Sequence, residues 1–189
     1  MISTKDFKRG RRISIDGEPY IILEFHHSKV ARGGATVRTK VKNIVTGAIS
    51  EKTFNGGESF KEPDVEDRKM QYLYENGGEY TFMDSADFEQ YTLSSDVLGD
   101  SRFYLKENDE YQVLMYAGNP LSVELPSSVV LKVTESEPAV KGDSVSNITK
   151  PAKLETGVEV KVPLFIKEGE FVKVDTRTGE YLERVRISK

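Results

Sequence analysis

Apolar and polar residues alternate along most of the chain, which is the pattern of β-strands that bury one face. Residues 35–43 show this alternation most clearly. The two faces of this predicted strand carry Val37, Thr39 and Val41 on one side and Arg38, Lys40 and Lys42 on the other. Stretches with helical periodicity are rare. The pattern therefore predicts an all-β chain in which one strand has a basic face.

A second strand-like run, residues 20–25, precedes the basic strand. The loop between the two runs, residues 26–34, contains Gly33 and Gly34, which supply the permissive backbone that a loop requires. We interpret the pair as a long β-hairpin.

Other turn signals recur further along the chain. Hairpin turns are predicted at Asn76-Gly77-Gly78, at Gly118-Asn119 and at residues 176–179, because Asn and Gly both tolerate positive φ. A short helix is predicted from Asp96 to Leu105, capped by Ser94 or Ser95.

Charge is distributed unevenly along the 189 residues. Divided where composition shifts, residues 1–63 carry 12 basic and 7 acidic residues, residues 64–126 carry 4 and 14, and residues 127–189 carry 11 and 10. The net charges of +5, −10 and +1 sum to the −4 of the whole chain. We therefore predict three domains with these boundaries, of which the first is basic and the second acidic.

Composition excludes several classes of protein. Hydrophobic residues make up 37% of the chain and charged residues 31%, a balance too apolar for wholesale disorder. There is no cysteine, so disulfides, thiolate nucleophiles and thiolate metal ligands are excluded. No run approaches the roughly 18 apolar residues that span a bilayer. We expect a cytoplasmic protein with no membrane partner.

No pattern of catalytic residues is present. The two imidazoles, His26 and His27, are adjacent, so on a strand they would face opposite sides and could not easily share a metal or a substrate. The carboxylates of Asp84 and Asp87 are better explained as part of a solvated acidic face, given 14 acids in that block. We expect no enzymatic activity, no metal and no cofactor.

The predicted hairpin carries the strongest functional signal. Residues 29–42 contain no Asp or Glu and five positive charges, which are Lys29, Arg32, Arg38, Lys40 and Lys42. We expect these charges not to be neutralised locally, so they attract a polyanion such as the phosphates of a nucleic acid. The alternative is a solvated basic strand that keeps a sheet edge from aggregating. Arg32 lies at the predicted apex beside small residues, which suits insertion into a narrow, phosphate-lined cavity.

Several motifs, in the same order along the chain, resemble those of bacterial elongation factor P. The longest are Lys150-Pro151-Ala152-Lys153-Leu154-Glu155-Thr156-Gly157 and Val174-Asp175-Thr176-Arg177-Thr178-Gly179-Glu180-Tyr181. Shorter matches are Glu51-Lys52-Thr53-Phe54, Gln71-Tyr72-Leu73-Tyr74 and Phe82-Met83-Asp84. The chain resembles this family over essentially its whole length.

The resemblance implies three consecutive small β-barrels in an L shape, an SH3-like (KOW-type) barrel at 1–63 and OB-folds at 64–126 and 127–189. The family's factor binds the ribosome between the peptidyl-tRNA and exit sites. There it relieves stalling at consecutive prolines by positioning the CCA end of the peptidyl-tRNA and stimulating peptide-bond formation, while the ribosome performs the chemistry. The implied protein is a monomer whose partners are both ribosomal subunits and prolyl peptidyl-tRNA.

The resemblance also assigns roles to the hairpin. Arg32 matches the family's apical residue, which contacts the peptidyl-tRNA near the peptidyl-transferase centre and is often modified, so an enzyme that modifies Arg32 is a further implied partner. The implied contacts with tRNA phosphates are Lys29, Arg38, Lys40 and Lys42.

Two further groups of residues lie in the third block. Tyr181 and Arg184 match a pair that in relatives lies close to RNA of the small-subunit region, where Tyr can stack and Arg can pair with phosphate. Gly142, Asp143 and Ser144 match a loop that approaches the exit-site codon. The alternatives are packing of Tyr181 in a core strand and an ordinary turn at 142–144.

The apical loop departs from the common family pattern. Val30-Ala31 replaces the usual Pro-Gly and an arginine occupies the apex, so lysine-directed modification is excluded and Arg32 is either unmodified or rhamnosylated. The tip is most similar to a paralogous branch, elongation factor P-like protein, whereas the C-terminal motif favours the main branch. A third interpretation is a tandem OB protein for single-stranded nucleic acid, although here the aromatic-rich block is the acidic one.

Overall fold

The computed structural model describes residues 1–28, 34–136 and 149–186. Within these ranges the chain forms strands and three short helical segments. The strands are β1 (Ile2–Ser3), β2 (Arg12–Ile15), β3 (Glu18–Ser28), β4 (Thr36–Asn43), β5 (Ile49–Asn55), β6 (Ser59–Phe60), β7 (Val65–Asn76), β8 (Glu79–Asp84), β9 (Gln90–Ser94), β10 (Glu110–Tyr116), β11 (Asn119–Glu124), β12 (Ser128–Ser136), β13 (Thr149–Leu154), β14 (Glu159–Pro163), β15 (Phe171–Asp175) and β16 (Tyr181–Val185). The helical segments are α1 (Ser95–Leu98) and the 3₁₀ helices Thr4–Asp6 and Gly99–Tyr104.

The first of two compact units comprises residues 1–66 and 115–119. Its main sheet has the strand order β2-β3-β4-β5, and β1 pairs with β6 in a small second sheet. Every second side chain of a strand faces the same side, so the alternation in the sequence supplies one buried face. The core of this unit includes Phe7, Ile13, Ile22, Val37, Val41, Phe54 and Phe60.

The second unit comprises residues 67–114 and 120–189. It contains strands of two five-stranded sheets, with the orders β11-β10-β7-β8-β9 and β14-β13-β12-β15-β16. Five short strands are what an OB-fold uses. The second sheet is built around a core of Leu131, Val133, Leu154, Val162, Val172 and Val174, and Tyr104 at the end of the second 3₁₀ helix packs against it.

The structure confirms the all-β class and the predicted turns. Gly77 and Gly78 form the turn between β7 and β8 with φ of +61° and +87°. Ala117 and Gly118 join β10 to β11, one residue earlier than the predicted Gly118-Asn119, and residues 176–180 join β15 to β16. The boundaries of the three predicted domains stay a prediction.

Two predicted elements were wrong in extent. Strand β3 continues through His26 and His27 to Ser28, so it extends into the predicted loop. The predicted helix is divided, although Ser94 caps it by accepting a hydrogen bond from the Val97 N–H at 3.4 Å. Gly99 has φ +52° and ends the α-helical turn, after which the chain continues as a 3₁₀ helix.

Candidate nucleic-acid interface

Strands β3 and β4 form the stem of the basic hairpin. Their register includes the opposed pairs Glu24–Lys40, Phe25–Thr39 and His26–Arg38. Opposed side chains in an antiparallel pair share a face. Val37 and Val41 are fully buried, whereas Arg38 and Lys42 are exposed. The predicted division of β4 into a core face and a basic face is therefore confirmed.

Acidic residues of neighbouring strands lie among these bases. Glu51 on β5 is opposite Lys40, and its Oε2 lies 2.9 Å from Nη2 and 3.1 Å from Nε of Arg38. The expectation that the positive charges are not neutralised locally was therefore wrong for Arg38, because it considered charges along the chain and not across the sheet. The side chains of the Arg38–Glu51 pair are 70% and 57% exposed. Such an exposed pair is weak, so a phosphate can compete for Arg38.

A close contact between two backbone segments holds the loop end of the hairpin stem. The Gly56 N–H donates to the Ala35 carbonyl at 2.6 Å. A Cβ at position 56 would lie 2.7 Å from the Ala35 Cβ and 2.8 Å from the Ala35 oxygen, so only glycine fits. The buried Thr4 fixes the same loop, because its Oγ1 accepts a hydrogen bond from the Gly57 N–H at 2.8 Å. The position at which β4 begins is thus fixed by β5 and the loop that follows it.

Aromatic packing stiffens the sheet beneath the hairpin. The ring centroid of Phe7 lies 6.4 Å from that of Phe25, 6.0 Å from that of Phe54 and 5.8 Å from that of Phe60. The pairs of Phe7 with Phe25 and Phe54 are edge-to-face, a geometry that stabilises a core beyond the area it buries, and the pair with Phe60 is tilted. The cluster joins the N-terminal segment to β3, β5 and β6.

The two histidines are exposed side chains of β3. His26 is opposite Arg38, whereas His27 is opposite the buried Val37 and packs edge-on against Phe25 at 5.6 Å between centroids. They face opposite sides, as predicted, and do not form a joint site.

Five residues of the predicted sites lie outside the described residues. They are Lys29 and Arg32 at the predicted tip of the hairpin and Gly142, Asp143 and Ser144 in the predicted codon loop. Their roles stay predictions.

A β-bulge places Tyr181 and Arg184 on one face of β16. Residues three apart on a regular strand face opposite sides. Here Tyr181 is opposite Val174 and Arg184 is opposite Val172, with Leu182 as the extra residue. Val172 and Val174 are both fully buried and share the inner face. The structure therefore places the two residues of this predicted site on the same side of the sheet.

Arg184 lies between an acid and an aromatic ring. Its Nη1 is 3.2 Å from Oε1 of Glu170, and its Cζ is 5.6 Å from the ring centroid of Phe165, which is 58% exposed. Tyr181 is half-buried against the core of its sheet, and this burial raises the pKa of its phenol. Tyr181 thus has a packing role, and its contact with RNA stays a prediction.

One acid of the middle block is buried. Asp84 is 3% exposed, and its Oδ2 lies 3.3 Å from Nη1 of Arg68 while its Oδ1 accepts a hydrogen bond from the Ala86 N–H at 2.7 Å. Asp87 also pairs with Arg68, at 3.5 Å. The prediction of a solvated acidic face was therefore wrong for Asp84. These contacts fix the turn between β8 and β9.

Neither a metal site nor a membrane-spanning helix is present in the described ranges. No group of three or more His, Asp or Glu side chains there could hold a metal ion. No helix in those ranges is long and apolar enough to cross a membrane.

Models of known protein families match the chain in three consecutive parts. Residues 3–60 match the elongation factor P KOW-like domain, residues 65–123 the elongation factor P OB domain, and residues 129–184 the elongation factor P C-terminal model. The chain belongs to the elongation factor P family.

Relatives in this family cover almost the whole chain. Elongation factor P of Maridesulfovibrio salexigens is 52% identical over 184 residues, which cover 97% of this chain and 99% of that protein. Elongation factor P of Natranaerobius thermophilus is 52% identical over 186 residues, covering 98% and 99% respectively. The chain is therefore a translation elongation factor of this family, with a KOW-like domain followed by two OB domains.

A solved structure shares the fold of part of this elongation factor. Eukaryotic translation initiation factor 5A from Methanococcus jannaschii matches with a TM-score of 0.55 and 22% identity. The match covers 65% of this chain and 90% of that chain. At this identity the likeness concerns the fold alone.

Sequence analysis missed the residues that support the hairpin and Arg184. Glu51 and Glu170 were visible as charges, but their partners become apparent only when strands are paired. Gly56 could have been found from its place at the end of an alternating run, where a glycine often marks a close approach of two backbones.

Proposed function

We propose that this elongation factor binds the ribosome between the peptidyl-tRNA and exit sites and stimulates peptide-bond formation at consecutive prolines. The observation that carries the proposal is the row of exposed Arg38, half-buried Lys40 and exposed Lys42 on a stiff hairpin, in a chain that matches the family over almost its whole length. Phosphate contacts of this kind fix position and register on an RNA without reading its sequence.

Positioning of the peptidyl-tRNA is the contribution to the reaction rate that such a factor can supply. Proline is a constrained and poor nucleophile, so a misaligned peptidyl end loses the large orientation contribution to the rate. The basic side chains of the hairpin, with Lys29, would hold tRNA phosphates while Arg32 reaches the CCA end. No acid or base from the factor is required, because the ribosome performs the reaction.

The same proposal includes the C-terminal residues. Arg184 would pair with phosphate of small-subunit RNA or tRNA, with Tyr181 beside it, and the loop of Gly142, Asp143 and Ser144 would approach the exit-site codon. Glu170 and Phe165 support this role for Arg184, because a side chain already held in place loses less entropy on binding.

We propose a cytoplasmic monomer with domains at 1–63, 64–126 and 127–189. A paralogue of the elongation factor P-like branch with an overlapping role is the alternative that the apical loop favours. In either case Arg32 is unmodified or is the target of a rhamnosylating enzyme. Intact mass of the natively purified protein distinguishes the two, because rhamnosylation adds about 146 Da.

The proposal is tested by translation of a three-proline message in a reconstituted system with and without the protein. We expect the protein to restore full-length synthesis on this message and to have no effect on a matched message without prolines. Arg32→Ala should abolish rescue but weaken ribosome co-sedimentation by less than about threefold, since Arg32 would align the CCA end while Lys29, Arg38, Lys40 and Lys42 still hold the phosphates. Arg38→Ala is the control, because it should weaken co-sedimentation and rescue together.

Two outcomes would overturn the proposal. One is equal synthesis on both messages with and without the protein. The other is salt-sensitive binding of free single-stranded oligonucleotides without ribosome co-sedimentation, which would instead indicate the tandem OB function.

A further inference from the structure

A second basic segment lies at the start of the first domain, outside the hairpin. Residues 5–12 carry five positive charges and one acid, Asp6; the five are Lys5, Lys8, Arg9, Arg11 and Arg12. The Asp6 carboxylate is directed towards its own segment, because its Oδ2 accepts a hydrogen bond from the Ser3 N–H at 3.3 Å. Across residues 1–28, 34–136 and 149–186, no ion pair involves Lys8, Arg9 or Arg11.

These bases are held on a rigid turn. The Arg11 N–H donates to the Lys8 carbonyl at 3.1 Å, which closes a four-residue turn in which Gly10 has φ +83°. The Gly10 N–H donates to the carbonyl of Ile22 on β3 at 2.7 Å. Phe7, immediately before the turn, is 4% exposed in the aromatic cluster. The turn is therefore anchored on both sides, while Lys8 and Arg9 are exposed.

The register of the sheet connects this turn to the hairpin. Arg12 on β2 is opposite Ile21 on β3, and Ile21 is opposite Lys42 on β4. Opposed residues share a face, and strands lie about 4.8 Å apart, so the Cα atoms of Arg12 and Lys42 are about 10 Å apart. The basic face therefore runs along β4, crosses the sheet to β2 and ends at the turn of residues 8–11.

A flexible polyanion fits this surface better than a small anion does. The basic residues follow a line on the surface and do not converge on one pocket. The neighbouring cleft of about 410 Å³ is lined by only two of them, Arg11 and Arg12, together with the acidic Glu62. Arginine forms paired hydrogen bonds with phosphate oxygens. The aromatic residue next to the turn, Phe7, is buried and offers nothing to insert into a lipid layer.

We propose that Lys8, Arg9 and Arg11 form a second RNA-backbone contact, which holds phosphates beyond those bound by the hairpin. This inference rests on the proposed function, because the RNA concerned is that of the ribosome or the tRNA bound to it. The extended face holds a longer stretch of backbone than the hairpin alone and resists rotation of the first domain about the hairpin axis.

The test compares Arg9→Ala and Arg11→Ala with Lys61→Ala, a control that removes one exposed charge from the same domain. Ribosome affinity of the full chain is measured from about 50 to 200 mM salt. We expect each arginine variant to bind about 3- to 10-fold more weakly at the lowest salt, with the slope of log affinity against log salt reduced by about 0.7 to 0.9. Lys61→Ala should retain the wild-type slope, and all three should keep the wild-type unfolding temperature.

The results separate this inference from the proposed function. If the wild type binds ribosomes and rescues proline stalling, but the arginine variants have the slope of Lys61→Ala, the second contact does not exist. If the wild type does not bind ribosomes at all, the proposed function fails first. Variants that lose affinity only for phosphatidylglycerol vesicles, with ribosome binding intact, would overturn the inference in favour of a membrane contact.

Discussion

Gly56 occupies a position where a single methyl group would alter the hairpin. The residue does not need positive φ; it needs space, because its backbone and that of Ala35 approach within hydrogen-bond distance. Ala35 is the last residue before β4. A larger residue at position 56 would displace the start of β4, two residues before Arg38, so we expect the glycine to affect function through position.

We expect Gly56→Ala to lower the free energy of unfolding by about 1–3 kcal/mol, as overpacking in a tight site does. It should also reduce rescue of proline stalling by more than it reduces ribosome affinity, since the side chains proposed to bind phosphate remain. Thermal unfolding and three-proline translation measure the two effects. Gly34→Ala is the control, because no atom lies within 4 Å of its Cβ position. Equal behaviour of the two variants would show that the close contact does not position the hairpin.

At the scale of elements, the hairpin face depends on three strands. β4 provides the bases, but Glu51 comes from β5 and Glu24 from β3, and both are opposite Lys40. The two glutamates separate and order the basic side chains in the free protein. Releasing a basic side chain to a phosphate costs little, because exposed ion pairs contribute little to stability. They also reduce the attraction for phosphate.

Glu51→Gln should therefore increase ribosome affinity by about 2- to 5-fold at low salt and make its salt dependence steeper, because no carboxylate at position 51 then competes with phosphate for Arg38. Unfolding free energy should change by less than about 0.5 kcal/mol. Asp16→Asn, which removes one charge from the turn between β2 and β3, is the control and should leave affinity within about 1.5-fold of wild type. Weaker binding of Glu51→Gln would instead show that the ion pair pre-organises Arg38 for its phosphate.

The sequence predicted those parts of the molecule that follow from local periodicity. Alternation around Val37 and Val41 gave the two faces of β4, and the glycines at 77 and 78 gave a hairpin turn. Features that depend on which strands pair were not accessible: the Glu51–Arg38 contact, the burial of Asp84 and the bulge beside Tyr181. Charge counted along the chain also overlooked the turn at residues 8–11, because its connection to the hairpin passes through Ile21 on another strand.

At the scale of the whole molecule, buried phenols link stability to alkaline pH. Burial is the largest cause of the raised pKa of Tyr72, Tyr104, Tyr111 and Tyr181, and a hydrogen bond to Glu89 is the largest for Tyr91. For Tyr72, burial followed by the charge of Glu107 raises the pKa from 10.0 to about 12. The folded state thus holds these protons more tightly than the unfolded chain does. For Tyr72 this stabilisation is complete below about pH 10 and is lost as the pH rises from there toward 12.

Tyr72→Phe should make the decline of unfolding free energy between about pH 10 and 12 shallower than in the wild type, because phenylalanine has no phenol proton that the folded state holds more tightly than the unfolded chain. Denaturant unfolding at a series of alkaline pH values measures it. Tyr74→Phe, at a 49% exposed position on the same strand, is the control and should follow the wild-type curve. Parallel curves for wild type and Tyr72→Phe would contradict the assignment to Tyr72.

The extra residue at Leu182 is a position where the chain can change length without changing faces. Because a bulge residue has no partner across the ladder, deleting it would leave Tyr181 opposite Val174 and Arg184 opposite Val172, so Arg184 could still meet both Glu170 and Phe165. In β15 every residue is paired with β12, and a one-residue gap there would exchange the inner and outer side chains. Functional descendants of this chain should therefore tolerate a gap at Leu182 far more readily than a gap in β15.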